Sequence, residues 1–113
     1  LKSLYLRDIK SNYSFDFLQK LPSLVNLDIS LNNFVLNISL NFNLFDLKFL
    51  YIKEIGIYSF DNLFRISTLN NLEKLDMSCN KLKRIQLKDF NFKNQISYLN
   101  LSNNDIETID NHT

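Results

Sequence analysis

The chain has 113 residues, 45% of them hydrophobic, and a net charge of +1. That is enough for one domain with a continuous core, and the near-zero charge gives no global electrostatic case for nucleic acid or a membrane surface. No run approaches the ~20 apolar residues of a membrane span, and a single glycine and a single proline leave neither a Gly-rich phosphate cradle nor a flexible linker.

The first eleven residues, LKSLYLRDIKS, carry apolar side chains at places one, four and six: Leu1, Leu4 and Leu6. Phe15, Leu18, Leu21 and Leu24 follow at three-residue spacing, which suits a short helical or 3₁₀ return. The opening pattern then comes back as LVNLDISLNNF (Leu24–Phe34), now with Asn32 at place nine and Phe34 at place eleven. LKFLYIKEIGI (Leu47–Ile57) repeats it with Ile55 at place nine, and three-residue spacing recurs at Phe60, Leu63, Ile66, Leu69 and Leu72. LEKLDMSCNKL (Leu72–Leu82) and ISYLNLSNNDI (Ile96–Ile106) fill every marked place, with Asn80 and Asn104 at the ninth. The segments start at residues 1, 24, 47, 72 and 96, at intervals of 23, 23, 25 and 24. Spacing that even marks a repeat array, and a period of this length implies a solenoid in which each coil covers its neighbour.

The pattern LxxLxLxxNxL resembles the leucine-rich repeat, over the whole chain and at all marked places in three of five copies. The resemblance implies an α/β fold: a right-handed, horseshoe-shaped solenoid with a parallel concave sheet and an irregular or short-helical convex side. It implies a stacked phenylalanine spine, for which Phe15, Phe60, Phe90 and Phe92 are candidates and Phe42 a weaker one. It also implies that Asn32, Asn80 and Asn104 turn inward and satisfy backbone groups of the turn and the next coil. Ile9 and Ile55 lack an amide, so the ladder should break at the first and third coils, with Gly56 allowing an unusual turn after the second break. Leu1 falls on the first residue of a repeat, Thr113 falls part-way through another, and neither end shows a polar cap. The chain therefore reads as an internal piece of a longer array, with a free-standing short array capped by another chain as the alternative.

Catalytic chemistry is hard to assemble. His112 is the only histidine and lies at the end of the chain, no Cys/His cluster offers metal ligands, and no cofactor motif is present. Cys79, the only cysteine, reads as a small residue in a turn, with a bridge to another chain as the alternative. Asp105, Glu107 and Asp110 read as a solvated turn rather than a calcium site. Lys81, Lys83, Arg84 and Lys88 read as a solvated flank rather than a dock for an acidic partner. Four N-x-[ST] sequons, at Asn12, Asn37, Asn100 and Asn111, give mild support for secretion and glycosylation.

What remains is the sheet. Side chains two apart share a face, so places four and six point inward and places three, five and seven outward. Across the coils this makes columns Ser3, Asn26, Phe49, Lys74, Tyr98; then Tyr5, Asp28, Tyr51, Asp76, Asn100; then Arg7, Ser30, Lys53, Ser78, Ser102. Exposed aromatics among charges are typical of interface hot spots. Tyr5, Arg7, Asp28, Phe49, Tyr51, Lys53, Lys74, Asp76 and Tyr98 are therefore the candidate ligand-binding residues. The array is expected to be a non-catalytic recognition module for a protein or glycan, able to dimerise through the array. It resembles the ectodomains of Toll-like receptors and of secreted invertebrate innate-immunity proteins, which implies an extracellular or cell-surface setting. An intracellular scaffold for protein–protein interaction and a targeting module attached to an enzyme are the rival readings.

Overall fold

The computed structural model describes residues 1–9, 16–32, 44–59, 69–86 and 96–110. The candidates Phe15, Phe42, Phe60, Phe90 and Phe92, the sequons at Asn12, Asn37 and Asn111, and Lys88 lie outside the described residues.

Each repeat contributes one three-residue strand at places three to five: β1 (Ser3–Tyr5), β2 (Asn26–Asp28), β3 (Phe49–Tyr51), β4 (Lys74–Asp76) and, after an intervening strand, β6 (Tyr98–Asn100). These five pair in parallel in the order β1-β2-β3-β4-β6. The place-four leucines Leu4, Leu27, Leu50, Leu75 and Leu99 lie in one Cα register across the sheet. The alternation explains the strand: the leucine goes in, and its two polar or aromatic neighbours go out. The inner three leucines are wholly buried, whereas Leu99 on the last strand is 44% exposed because only one side of it has a neighbour.

The other apolar places complete the core. Leu24, Leu47 and Leu72 at place one, Ile29, Ile52 and Met77 at place six, and Ile57 and Leu82 at place eleven are all buried. Each such side chain stabilises the fold by about 1.5–3 kcal/mol through burial. Three residues before place one stand Leu21, Leu44 and Leu69, and the N–H groups of Leu24, Leu47 and Leu72 donate back to their carbonyls at 3.1–3.3 Å. A 3₁₀ helix at Asp16–Lys20 precedes the first of these turns, as the three-residue spacing implied. It is the one helix among the described residues.

Two features were not anticipated. The first is a second sheet, in which β5 (Arg84–Gln86) pairs in parallel with β7 (Thr108–Asp110). It stacks the fourth coil on the fifth, beyond the asparagine turn. The second lies at place eight. Asp8, Leu31, Glu54, Cys79 and Asn103 all adopt the left-handed conformation, with φ of 52°, 59°, 52°, 57° and 55°. In four of them the turn serves inter-coil bonding: the N–H groups of Asp8, Leu31, Glu54 and Cys79 donate to the carbonyls of Ser30, Lys53, Ser78 and Ser102 at 2.8–3.2 Å. Left-handed backbone costs an ordinary L-residue about 1–2 kcal/mol, whereas Asn and Asp tolerate it. Leu31→Asn is therefore expected to stabilise the array by about 0.5–1 kcal/mol, with half-exposed Leu31 giving up little burial. A lower urea midpoint in the variant would contradict this account of the turn.

Gly56 has φ +83°, and a Cβ placed there would meet nothing within 4 Å. The glycine is thus needed for backbone freedom rather than for space.

Candidate functional site

The outer face of the five-stranded sheet carries the candidate residues in the columns read from the sequence. Ser3, Asn26, Phe49, Lys74 and Tyr98 are register partners, as are Tyr5, Asp28, Tyr51, Asp76 and Asn100. Tyr5 and Tyr98 are exposed, and Phe49 and Tyr51 are half-buried between their neighbours. Local contacts hold several of these groups. Asn26 Nδ2 donates to the Tyr5 hydroxyl at 2.7 Å, and Lys74 Nζ lies 5.7 Å from the centre of the Phe49 ring. That distance is within cation–π range. Arg7 Nε lies 3.5 Å from Asp28 Oδ2.

The place-five residues also have a local role. Asp28 Oδ1 accepts from the Ser30 N–H at 3.0 Å, Asp76 Oδ1 from the Ser78 N–H at 2.9 Å, and Asn100 Oδ1 from the Ser102 N–H at 3.0 Å. In the last two the serine Oγ also donates to the same oxygen, at 2.6 and 2.7 Å. These are Asx turns that close the strand ends. The signal was visible as [DN]-x-Ser at Asp28, Asp76 and Asn100. The Asn100-Leu101-Ser102 sequon is thereby one member of a repeated structural motif, with Asn100 Nδ2 also donating to the Tyr98 hydroxyl at 3.3 Å.

Tyr51 sits at the centre of the face. Burial, then neighbouring Tyr5, then the carboxylates of Asp28 and Asp76, then Tyr98, push its hydroxyl above the ordinary phenol range.

The asparagine ladder lies behind the face, and its direction differs from the expectation. Each amide serves its own turn and the preceding coil, not the next one. Asn32 Nδ2 donates to the carbonyls of Ile29 and Leu6, both at 2.7 Å, and Asn32 Oδ1 accepts from the Ile9 N–H at 2.9 Å. Asn80 repeats this with Met77 and Ile52, both at 2.9 Å, and accepts from the N–H groups of Ile55 and Ile57, both at 3.1 Å. Asn104 does the same with Leu101, Met77 and the Leu82 N–H at 2.9–3.0 Å. Ile9 and Ile55 thus receive amide bonds through their own backbones while their side chains return none, and Ile55 is instead core.

The basic and acidic groups meet each other. Arg84 Nη2 lies 2.7 Å from Asp110 Oδ2, and the Glu107 N–H donates to the Lys83 carbonyl at 2.8 Å. One cation of coil four thus pairs with one acid of coil five, and a backbone bond beside it joins the same two coils. A separate groove of about 640 Å³ runs along the place-eight turns, lined in part by Leu31, Glu54, Gly56 and Cys79, and none of the face's aromatics border it. Among the described residues no cluster of His, Cys, Asp and Glu is arranged to hold a metal ion, and no helix is long and apolar enough to cross a membrane.

No family model matches the chain, and no curated protein matches it. Among solved structures, the crystal structure of InlP from Listeria monocytogenes superposes with a TM-score of 0.68 and 28% sequence identity over 92% of this chain. InlP is an internalin, a leucine-rich repeat protein, and the parallel sheet built from evenly spaced repeats is that fold. The chain spans 30% of the InlP chain's length.

Proposed function

We propose that this array is a non-catalytic recognition module that docks a protein partner on the outer face of its five-stranded sheet, as part of a longer secreted or surface-exposed protein. The observation that carries the reading is the registered cluster of Tyr5, Phe49, Tyr51 and Tyr98 among Asp76, Lys53 and Lys74 on a rigid sheet. Aromatic side chains offer large contact area at low entropic cost, and they dominate binding energy where partners meet. The leucine-rich repeat fold supports a protein-interaction role, and the likeness to InlP supports a secreted or surface setting. The face is taken to be concave and the coil right-handed, the hand that parallel crossovers adopt. Glycans at Asn12, Asn37 or Asn111 fit the same setting.

Partners confirmed with purified components provide the test. Tyr51→Ala and Phe49→Ala are each expected to weaken such a complex by about 1 kcal/mol or more, roughly a five-fold rise in Kd, while thermal unfolding stays near wild type. Unchanged affinity in both variants would move the docking surface elsewhere. Bare sequons in protein taken from its own cells would favour the intracellular scaffold.

A further inference from the structure

The two carboxylates in the place-five column are not equivalent. Asp28 is only 9% exposed, and both its oxygens are engaged, by the Ser30 N–H and by Arg7. Asp76 is half-buried, and its Oδ1 is held by the Ser78 N–H and hydroxyl. Among the described residues its Oδ2 has no partner. Lys53 occupies the same slot relative to Asp76 that Arg7 occupies relative to Asp28, place seven of one coil against place five of the next. Yet no ion pair closes there among the described residues, and the Lys74 ammonium lies over Phe49. Asp76 is the register partner of Tyr51 on the adjacent strand, one strand step of about 4.8 Å away along the sheet.

We propose that Asp76 and Tyr51 together receive a single arginine side chain of a protein partner, its guanidinium stacked on the Tyr51 ring and hydrogen-bonded to Asp76 Oδ2. The inference rests on the sheet face being the docking surface and names the chemistry of what docks. A guanidinium is planar, stacks on aromatic faces and forks onto carboxylates, so it satisfies both groups at once. Asp76 brings a carboxylate that no cation compensates among the described residues to the strand beside Tyr51, and that suits a cation. Lys53 and Lys74 stand at neighbouring places of the same face, so a lone arginine meets less repulsion there than a basic run would.

The probe is acetyl-Gly-Pro-Arg-Pro-Gly-amide, titrated into the isotope-labelled chain, with citrulline and glutamate peptides as controls. Nuclear magnetic resonance reads the Tyr51 ring and the backbone amides around Asp76. The arginine peptide is expected to shift these signals saturably, with binding about five-fold weaker for the citrulline peptide and for Asp76→Asn. Asp76→Asn should fold normally, because Asn100 already makes the same two bonds to Ser102 with an amide oxygen. Equal binding of the citrulline peptide, indifference to Asp76→Asn, or no shift from any peptide would each overturn the arginine assignment. Saturable shifts from the glutamate peptide alone would also overturn it while leaving the face a docking surface. That broader reading is decided separately, by Phe49→Ala and Tyr51→Ala against a verified partner.

Discussion

Replacing Asn80 with leucine is expected to destabilise the array by about 4 kcal/mol, well beyond what one surface substitution costs. The amide has four close backbone partners in two coils. Its Nδ2 donates to Ile52 and Met77, and its Oδ1 accepts from Ile55 and Ile57. Asn80 is buried, and so are Ile55 and Ile57, so water cannot replace the lost acceptor. Each stranded group costs about 1–3 kcal/mol, more than the bond itself contributes. Leucine keeps asparagine's branched shape but has neither donor nor acceptor, so the loss reports the bonds rather than a change of volume. Asn104 provides the comparison. It serves one N–H instead of two and is half-exposed, so Asn104→Leu should lose about half as much. Urea titration of both variants measures the difference. A loss below about 1 kcal/mol for Asn80→Leu would mean that the ladder does not hold the coils together.

That comparison shows which parts of the molecule could be read from the residues. The sheet register was legible because two periods coincide: alternation within each strand, and a spacing of 23 to 25 residues between strands. Together they place Leu27, Leu50 and Leu75 in one inward file, which is where they lie. The outward columns follow by the same parity. The left-handed turn at place eight was not legible, since Asp, Leu, Glu, Cys and Asn share no chemistry. The conformation belongs to the turn that every coil makes, and in four coils it lets the N–H bond to the adjacent coil, so it overrides residue preference. The second sheet was hidden for a different reason: Arg84-Ile85-Gln86 and Thr108-Ile109-Asp110 are too short to show a period. Their charges looked like two unrelated surface groups because they stand one coil apart in sequence. Folding converts that separation into contact, as Arg84 and Asp110 show. The double duty of Asp28 and Asp76, closing a turn while facing outward, was written in the recurring [DN]-x-Ser. Its meaning emerges only once place seven is known to follow the strand end.

Leu75→Ala is expected to cost about 2–5 kcal/mol, the other large effect, and to do so for a reason specific to stacked coils. Leu75 is wholly buried between Leu50 and Leu99 in the leucine file. Truncating it removes contacts on both sides and leaves a cavity that rigid neighbouring strands cannot collapse. The same change at Leu99, already 44% exposed, should cost about 1 kcal/mol or less. Because a solenoid's stability is close to a sum of nearest-neighbour interfaces, damage at Leu75 weakens the junctions of the fourth coil with both the third and the fifth. The fifth coil then depends on the β5–β7 pairing and the Arg84–Asp110 contact to stay docked. In the Leu75→Ala background, Arg84→Gln should therefore destabilise more than it does in the wild type, a coupling that a double-mutant cycle reads directly. Strict additivity there, or a near-neutral Leu75→Ala in urea, would contradict the inward file on which the outward face depends.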